Sequence, residues 1–465
     1  MKISIQIIVD PENGEPTVIK PITEFRRKDL ASDTLGLTIE ESKSLLQNIQ
    51  SEFVATQVEQ YIHKHKVCDQ CHEKLKVKGQ TTIVYRTLFG KLKLPNPRLY
   101  SCPCNKGNKR KSFSLLSAIL PERFSPELQY LQTKWSSLVS YGMASNILED
   151  ILPMHANVSS IFYTTHKVAK QLDVAVSEEK HCFISGCEND WNKLPNPNSP
   201  LIVGIDGGYI HAREGGNRKA GWFEAIVGKS LHETQASKRF GFVCKYDDKS
   251  KSRFNIMLQK HGFQMNQNIT FLSDGGDTVR SLQQNIAPYS EHLLDWFHIT
   301  MKITVMKQMI SGLANNAKGE LHKKLESIKW NLWHGNASKA LDKIESLSED
   351  FYDEGLDKGS KKYKLWKYAD EFYTYIKSNR CYITNYAERY RYGEIISTSF
   401  VEATVNEVIS KRMVKKQQMR WTKEGAHRMI QVRIATLNDE LREEFCRWYP
   451  NMSNANDNLA LQNAA

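Results

Sequence analysis

The sequence predicts a multidomain chain of mixed α+β and α/β character. Three observations lead there. Two close cysteine pairs bracket a strand-rich stretch before position 125. Strand and helix signals in the order β-β-β-α-β-α-β-α fill residues 200–310. A long Lys-, Glu-, Trp- and Tyr-rich stretch with helical spacing then separates this run from a last helical segment. Successive strands followed by βα units predict a mixed sheet with helices on both faces.

Residues 1–62 begin with the strand-like KISIQIIV and pass into a long helix, for which Thr38 is the expected N-cap with Glu41 three residues on. Residues 63–124 hold Thr/Ile/Val/Tyr runs broken by Gly90, Pro95 and Pro97, the pattern of short strands. Residues 125–180 turn helical. SPELQYLQTKWSSLVSYG, MASNILEDIL and VSSIFYTTHKVAKQLD carry apolar residues near a 3.6 period, and PMHAN interrupts them. Helix, short turn, helix is the arrangement of a helix-turn-helix reader. An Asn- and Pro-rich linker, GCENDWNKLPNPNSP, follows.

Residues 200–298 carry the sheet. LIVGIDGGYI, GWFEAIVGKS and RFGFVCKYD read as three strands, SKSRFNIMLQKHG as a helix, NITFLSD as a fourth strand and GDTVRSLQQNI as a helix. EHLLDWFHI reads as a fifth strand running into the helix TMKITVMKQMI. Residues 299–396 form a helical insertion. Residues 397–450 open on Ser/Thr capping residues and continue as helix. The tail 451–465, NMSNANDNLALQNAA, is predicted to be disordered.

The net charge of +12 is concentrated. Between His63 and Arg123 stand 14 Lys/Arg against 3 Asp/Glu, and between Lys411 and Arg433 stand 8 against 1. Two such segments point to a polyanionic partner. No run of eighteen apolar residues exists, so no membrane-spanning helix is expected. The start lacks the pattern of a signal peptide, which predicts a cytoplasmic protein whose nine cysteines are reduced or metal-bound.

Cys68 and Cys71 in C-x2-C, with Cys102 and Cys104 in C-x-C, supply four thiolates in two tight turns. That donor set predicts a closed, structural Zn2+ site in a zinc-ribbon-like module. Cys182 and Cys187 read as ordinary thiols. Asp206 lies on the first strand of the sheet and Asp274 ends the fourth, positions that this strand order makes neighbours. Two carboxylates at one sheet edge suit Mg2+ or Mn2+. Glu402, near the start of a predicted helix with Asn406 one turn on, is the expected third ligand. Two ions about 4 Å apart would activate an attacking oxygen and stabilise a leaving one. Asp277 and Glu407 are the neighbouring alternatives. Asp274 is preferred because it directly ends the apolar strand. Lys411, Arg412, Lys415 and Lys416 recur at helical spacing and, with Arg420, predict a phosphate-contacting stripe; Trp421 is expected to pack.

GIDGGYI, FLSDGGDTVR, LLDWFHIT, NYAERYRYGEIISTSFVEATVNEVISKRM and QQMRW resemble a DDE-type transposase of bacterial insertion sequences, most of all the ISKra group and beyond it the ISL and Mutator-like groups. The resemblance runs from about residue 60 to 440. It implies an RNase H-like core, metal-dependent strand cleavage and transfer, and double-stranded DNA partners in the form of element ends and target. It also implies at least a homodimer when ends are paired. Its catalytic residues map onto Asp206, Asp274 and Glu402, and its D-x-x-H signature onto Asp295 and His298 as auxiliary residues. The alternatives are a catalytically inactive DNA-binding derivative and a metal-dependent nuclease without strand transfer.

Overall fold

The computed structural model describes residues 1–10, 16–104, 111–178, 193–195, 200–213, 221–288, 290–313, 318–352, 357–415 and 419–452. The chain forms two units, Met1–Val168 with Asp439–Ala465, and Ala169–Asn438.

In the first unit β1 (Lys2–Val9) and β2 (Val18–Arg26) form an antiparallel hairpin. The sequence signal for β2 is weak because Pro21 and a register shift at that point interrupt its alternation. α1 (Ile39–His65) starts on the expected capping box: the Glu41 N–H donates to Thr38 Oγ1 at 3.2 Å, and the Thr38 N–H donates to Glu41 Oε2 at 3.0 Å. β3 (Val77–Thr87), β4 (Gly90–Tyr100) and β5 (Ser112–Ser114) make an antiparallel sheet. Its Ile83, Leu92, Leu94 and Leu99 bury against Val58 and Ile62 of α1 and against Leu115 and Leu116 of α2 (Leu115–Ile119). Each such side chain contributes about 1.5–3 kcal/mol on leaving water. α3 (Pro126–Leu138) and α4 (Tyr141–Ile151) follow, N-capped by Ser125 and Ser140, and α5 (Val158–Glu178) runs on into the second unit. The chain returns to the first unit with helix Leu441–Trp448, where Arg442 grips Glu127 of α3 through two bonds of 2.6 and 2.8 Å.

The second unit is built on β6 (Leu201–His211), β7 (Trp222–Leu231), β8 (Lys238–Val243), β9 (Ile269–Ser273) and β10 (Glu291–Leu294). The sheet order is β10-β9-β6-β7-β8. β6, β7 and β8 pair antiparallel, while β9 and β10 run parallel to β6. α6 (Ser250–Lys260) and α7 (Asp277–Ile286) supply the crossovers, and Phe254, Met257, Leu258, Val279 and Leu282 bury against the sheet's Leu201, Val203, Ile205 and Phe271. The mixed sheet expected from the element order is therefore present. The fifth strand is shorter than its sequence suggests. It ends at Leu294 because Asp295 caps α8 (Trp296–Ser311), accepting the Phe297 N–H at 2.9 Å.

α8, α9 (Lys318–Trp333), α10 (Ala337–Glu349), α11 (Lys361–Ser378) and α12 (Tyr386–Arg391) enclose their own core, which Leu294 joins from the end of β10. The segment after it is not the continuous helix its pattern implies. α13 (Ser399–Val405) passes into a π-helix at Asn406–Val414. Trp421 then pairs with the end of β6, its N–H donating to His211 O at 2.8 Å, and Thr422 caps a fresh helix, α14 (Lys423–Leu437). Among the described residues no helix is long and apolar enough to cross a membrane.

Candidate metal centre

The sheet register brings the acidic residues together. Gly204 is the last residue of β6 paired with β9, opposite Leu272. Two residues further along each strand stand Asp206 and Asp274. β10 ends with Leu294 opposite Ser273, so Asp295 stands beside Asp274, and its N–H donates to Ser273 O at 2.9 Å. Three parallel neighbours thus bring aspartates into one row, Asp206 within β6 and Asp274 and Asp295 just past the ends of β9 and β10. Asp206 is not at a strand end, as its Asp-Gly-Gly context suggests, because β6 continues to His211. The glycines of the two motifs serve different ends. Gly275 takes φ +87° where the chain turns from β9 into α7. Gly204 and Gly208 flank Asp206 on one face of β6 and let the helix at 399–414 lie against the strand: a Cβ would meet Val401 Cγ2 at 2.0 Å in the first case and Ile409 Cδ1 at 2.8 Å in the second.

The donor atoms of Asp206, Asp274 and His298 all lie within 4.8 Å of one another. The Gly207 N–H donates to Asp206 Oδ1 at 2.7 Å and the Gly276 N–H to Asp274 Oδ1 at 3.0 Å. His298 arrives from the first turn of α8, with its Nδ1 2.6 Å from Asp295 Oδ2. Asp295 is fully buried and also accepts the Thr398 N–H at 3.0 Å and the Thr398 hydroxyl. Burial pushes the Asp295 pKa up, but the hydrogen bonds from His298 and Thr398 prevail and lower it. It is therefore a carboxylate, His298 Nδ1 carries the proton, and Nε2 is left as the ligating atom. Burial opposes charge on His298, yet Asp295, Asp206 and Asp274 raise its pKa. Burial, with the charges of Asp274 and Asp295, raises that of Asp206 despite the Gly207 N–H and the attraction of His298. Two carboxylates and one imidazole fit a divalent cation, and the nitrogen favours Mn2+ over Mg2+, which prefers all-oxygen ligands.

The other expected residues are placed as follows. Glu402 is exposed and lies outside the three-residue donor group, although its helix lies on the Asp206 face of β6. The Glu402 N–H donates to Thr398 O at 3.0 Å, so the buried Asp295–Thr398 contact anchors that helix to the site. Glu407 pairs with Arg239 at 3.0 Å, and Asp277 pairs with Arg280 on the exposed first turn of α7. Thr398, which ties two elements of the site together, carried no signal beyond its capping chemistry.

The basic stripe needs correction. Arg412 is fully buried, its guanidinium 5.3 Å from the centre of the Trp421 ring, and contacts no solvent. Arg412 stands four residues after Val408 and three after Ile409, which places it on the buried face of this helix. Lys411, Lys415 and Arg420 are exposed, with Lys415 Nζ donating to Asn406 Oδ1 at 2.9 Å. Lys416 lies outside the described residues, as do Cys182 and Cys187. Trp421 is buried, as expected.

In the first unit the sulfurs of Cys68, Cys71, Cys102 and Cys104 lie within 4.8 Å of one another, with Cys68–Cys104 at 3.4 Å and Cys71–Cys102 at 3.3 Å. A tetrahedral Zn–S4 site with bonds of about 2.3 Å has S···S edges of about 3.8 Å, so the cluster fits zinc. The tight turn closes through Cys68 N–H to Glu73 O at 2.9 Å; the Cys71 and Gln70 N–H groups lower the Cys68 thiol to about 6, while the neighbouring thiols raise Cys104 and, against the Glu73 N–H, Cys71.

No family model matches the chain, and no curated protein matches it. Among solved structures, the chain is similar to the Drosophila P element transposase strand transfer complex at 11% identity and TM-score 0.32, covering 73% of this chain and 95% of that one. It is also similar to the crystal structure of NurA at 15% identity and TM-score 0.11, covering 55% and 74%. At such scores neither likeness carries weight for fold or chemistry.

Proposed function

We propose that this chain is a DDE-type DNA transposase of an insertion sequence, akin to the ISKra group, with an RNase H-like core. The observation that supports it most is the row of Asp206 on β6, Asp274 just past the end of β9 and Asp295 just past the end of β10, with His298 closing a donor set beside the first two. Asp206, Asp274 and His298 hold one divalent ion. Asp295 positions His298, and through Thr398 also the helix that carries Glu402. Glu402 completes the catalytic trio from the solvent side, where the scissile phosphate and a second ion enter. Bound Mg2+ or Mn2+ supplies the Lewis acidity for in-line displacement at phosphorus. Lys411, Lys415, Lys416 and Arg420 neutralise phosphates of element ends or target, the zinc module and helical segment 125–180 contribute to end recognition, and a dimer pairs the ends in the cytoplasm.

A nuclease without strand transfer is the second reading, because the Asp-Asp-His set assembles without Glu402. Labelled duplex carrying the flanks of the source gene, incubated with wild type or Asp206→Asn and Mn2+ or Mg2+, tests both. Metal-dependent cutting and joining by wild type alone supports the transposase. Cutting with no joined product supports the nuclease. Specific binding without cutting supports an inactive derivative.

A further inference from the structure

From Lys74 through Pro121 the sequence holds 11 Lys/Arg and not one Asp or Glu. The fold gathers part of this charge on one face of the β3–β4–β5 sheet. Ile83, Leu92 and Leu94 point to the face covered by α1 and α2. Lys91 and Lys93 alternate with them on β4 and are exposed, and Arg86 stands directly opposite Lys91 in the register. Arg98 is exposed further along the same strand. Like charges directly opposite one another weaken an antiparallel pair. Among the described residues nothing offsets this: Arg86, Lys91, Lys93 and Arg98 have no ion-pair partner there, and Arg86 rests over the Phe124 ring at 5.1 Å.

We infer that this sheet face is a sequence-independent DNA-binding surface that lies across the phosphate backbone of a duplex. The inference rests on the reading that the protein works on DNA, and it adds a surface separate from the metal centre. The geometry favours a duplex. Lys91 and Lys93 are two residues apart on a strand, about 6.8 Å, on a rigid framework that meets the dense, rigid charge of double-stranded DNA. The rungs Thr82–Pro95, Val84–Lys93 and Arg86–Lys91 offer no aromatic platform for unpaired bases. The exposed side chains of these rungs are Thr82, Lys91, Lys93 and Pro95, a set whose cations suit phosphates, and phosphate contacts carry no sequence information.

The test uses the full-length, zinc-loaded protein and a fluorescent 30-base-pair duplex of random sequence, with affinity measured across a salt series. Wild type is compared with Lys91→Gln/Lys93→Gln/Arg98→Gln, and with a control that removes the same charge from exposed positions of the helical insertion, Lys323→Gln/Lys339→Gln/Lys364→Gln. Each lost phosphate contact lowers the slope of log K against log salt by about 0.9, so the sheet-face variant is expected to lose about 2–3 from the slope while the control keeps it. The slope does not depend on the fraction of active protein, so partial misfolding cannot imitate the result. Wild-type binding with an unchanged slope in the sheet-face variant overturns the inference and leaves the DNA reading standing. No binding by wild type overturns the DNA reading itself. Tighter binding of single-stranded RNA or anionic vesicles than of the duplex, with the same loss of slope, overturns the choice of partner.

Discussion

Replacing Asp295 by asparagine should uncouple the metal centre while leaving all three donors in place. The buried carboxylate accepts four hydrogen bonds: the Phe297 N–H at 2.9 Å, the Thr398 N–H at 3.0 Å, the Thr398 hydroxyl, and His298 Nδ1–H at 2.6 Å. The asparagine would keep one oxygen, enough for the two backbone N–H groups on Oδ1. Its amide group would face the other two donors with donors of its own. Hydrogen bonds to a charged group are worth about 1.5–3 kcal/mol each, so a loss of about 3 kcal/mol in stability is expected after partial relaxation. His298 would no longer be held with its proton on Nδ1, and losing such an orienting partner weakens metal binding about 10–100-fold. The assay is Mn2+ titration of zinc-loaded protein by the electron paramagnetic resonance of free Mn2+, with thermal unfolding in parallel. His298→Ala should weaken Mn2+ at least as much. Wild-type Mn2+ affinity in a folded Asp295→Asn protein would refute the reasoning that Asp295 orients a ligand.

Other outcomes follow from particular contacts. Gly204→Ala forces a methyl into Val401 and Phe400, so α13 must shift; a loss of about 1–3 kcal/mol in thermal unfolding is expected, together with reduced strand cleavage because Glu402 moves. Cys71→Ser should release zinc and lower the unfolding temperature of the first unit, read by zinc analysis and calorimetry, while Mn2+ binding at the second unit persists. His261, buried against Ser230, has its pKa lowered to about 4 by burial first and then by His232 and Lys238. Its folded value lies below the unfolded 6.5, so its contribution is intact above pH 6.5 and is lost as pH falls towards 4, by up to about 3 kcal/mol. His261→Gln should flatten that part of the stability profile.

What the sequence made legible was whatever depends on local pattern. The apolar runs before Asp206 and Asp274 marked strands, and Thr38 with Glu41 marked a helix start, because each signal lies within a few residues of its consequence. The two cysteine pairs are 31 residues apart from Cys71 to Cys102, yet their chemistry identified them without any need to know the path between them. Register was not legible. That Asp206 sits mid-strand follows from pairing with β7 and from the Trp421 bridge, both remote in sequence. Arg412 was placed on an exposed stripe because of its charge, whereas it stands four residues after Val408 and three after Ile409 on the buried face, where the fold sets it over Trp421. His298 was expected as an auxiliary residue; its place among the metal donors depends on Asp295 being in register with Asp274, a fact of the sheet and not of the motif.

The central claim is that Asp206, Asp274 and His298 bind one divalent ion at the edge of the mixed sheet. Anomalous diffraction from crystals soaked in Mn2+ tests it directly. A manganese peak about 2.2 Å from a carboxylate oxygen of each aspartate and from His298 Nε2 is the predicted result. Strong manganese peaks elsewhere, with none between these three side chains, would contradict it.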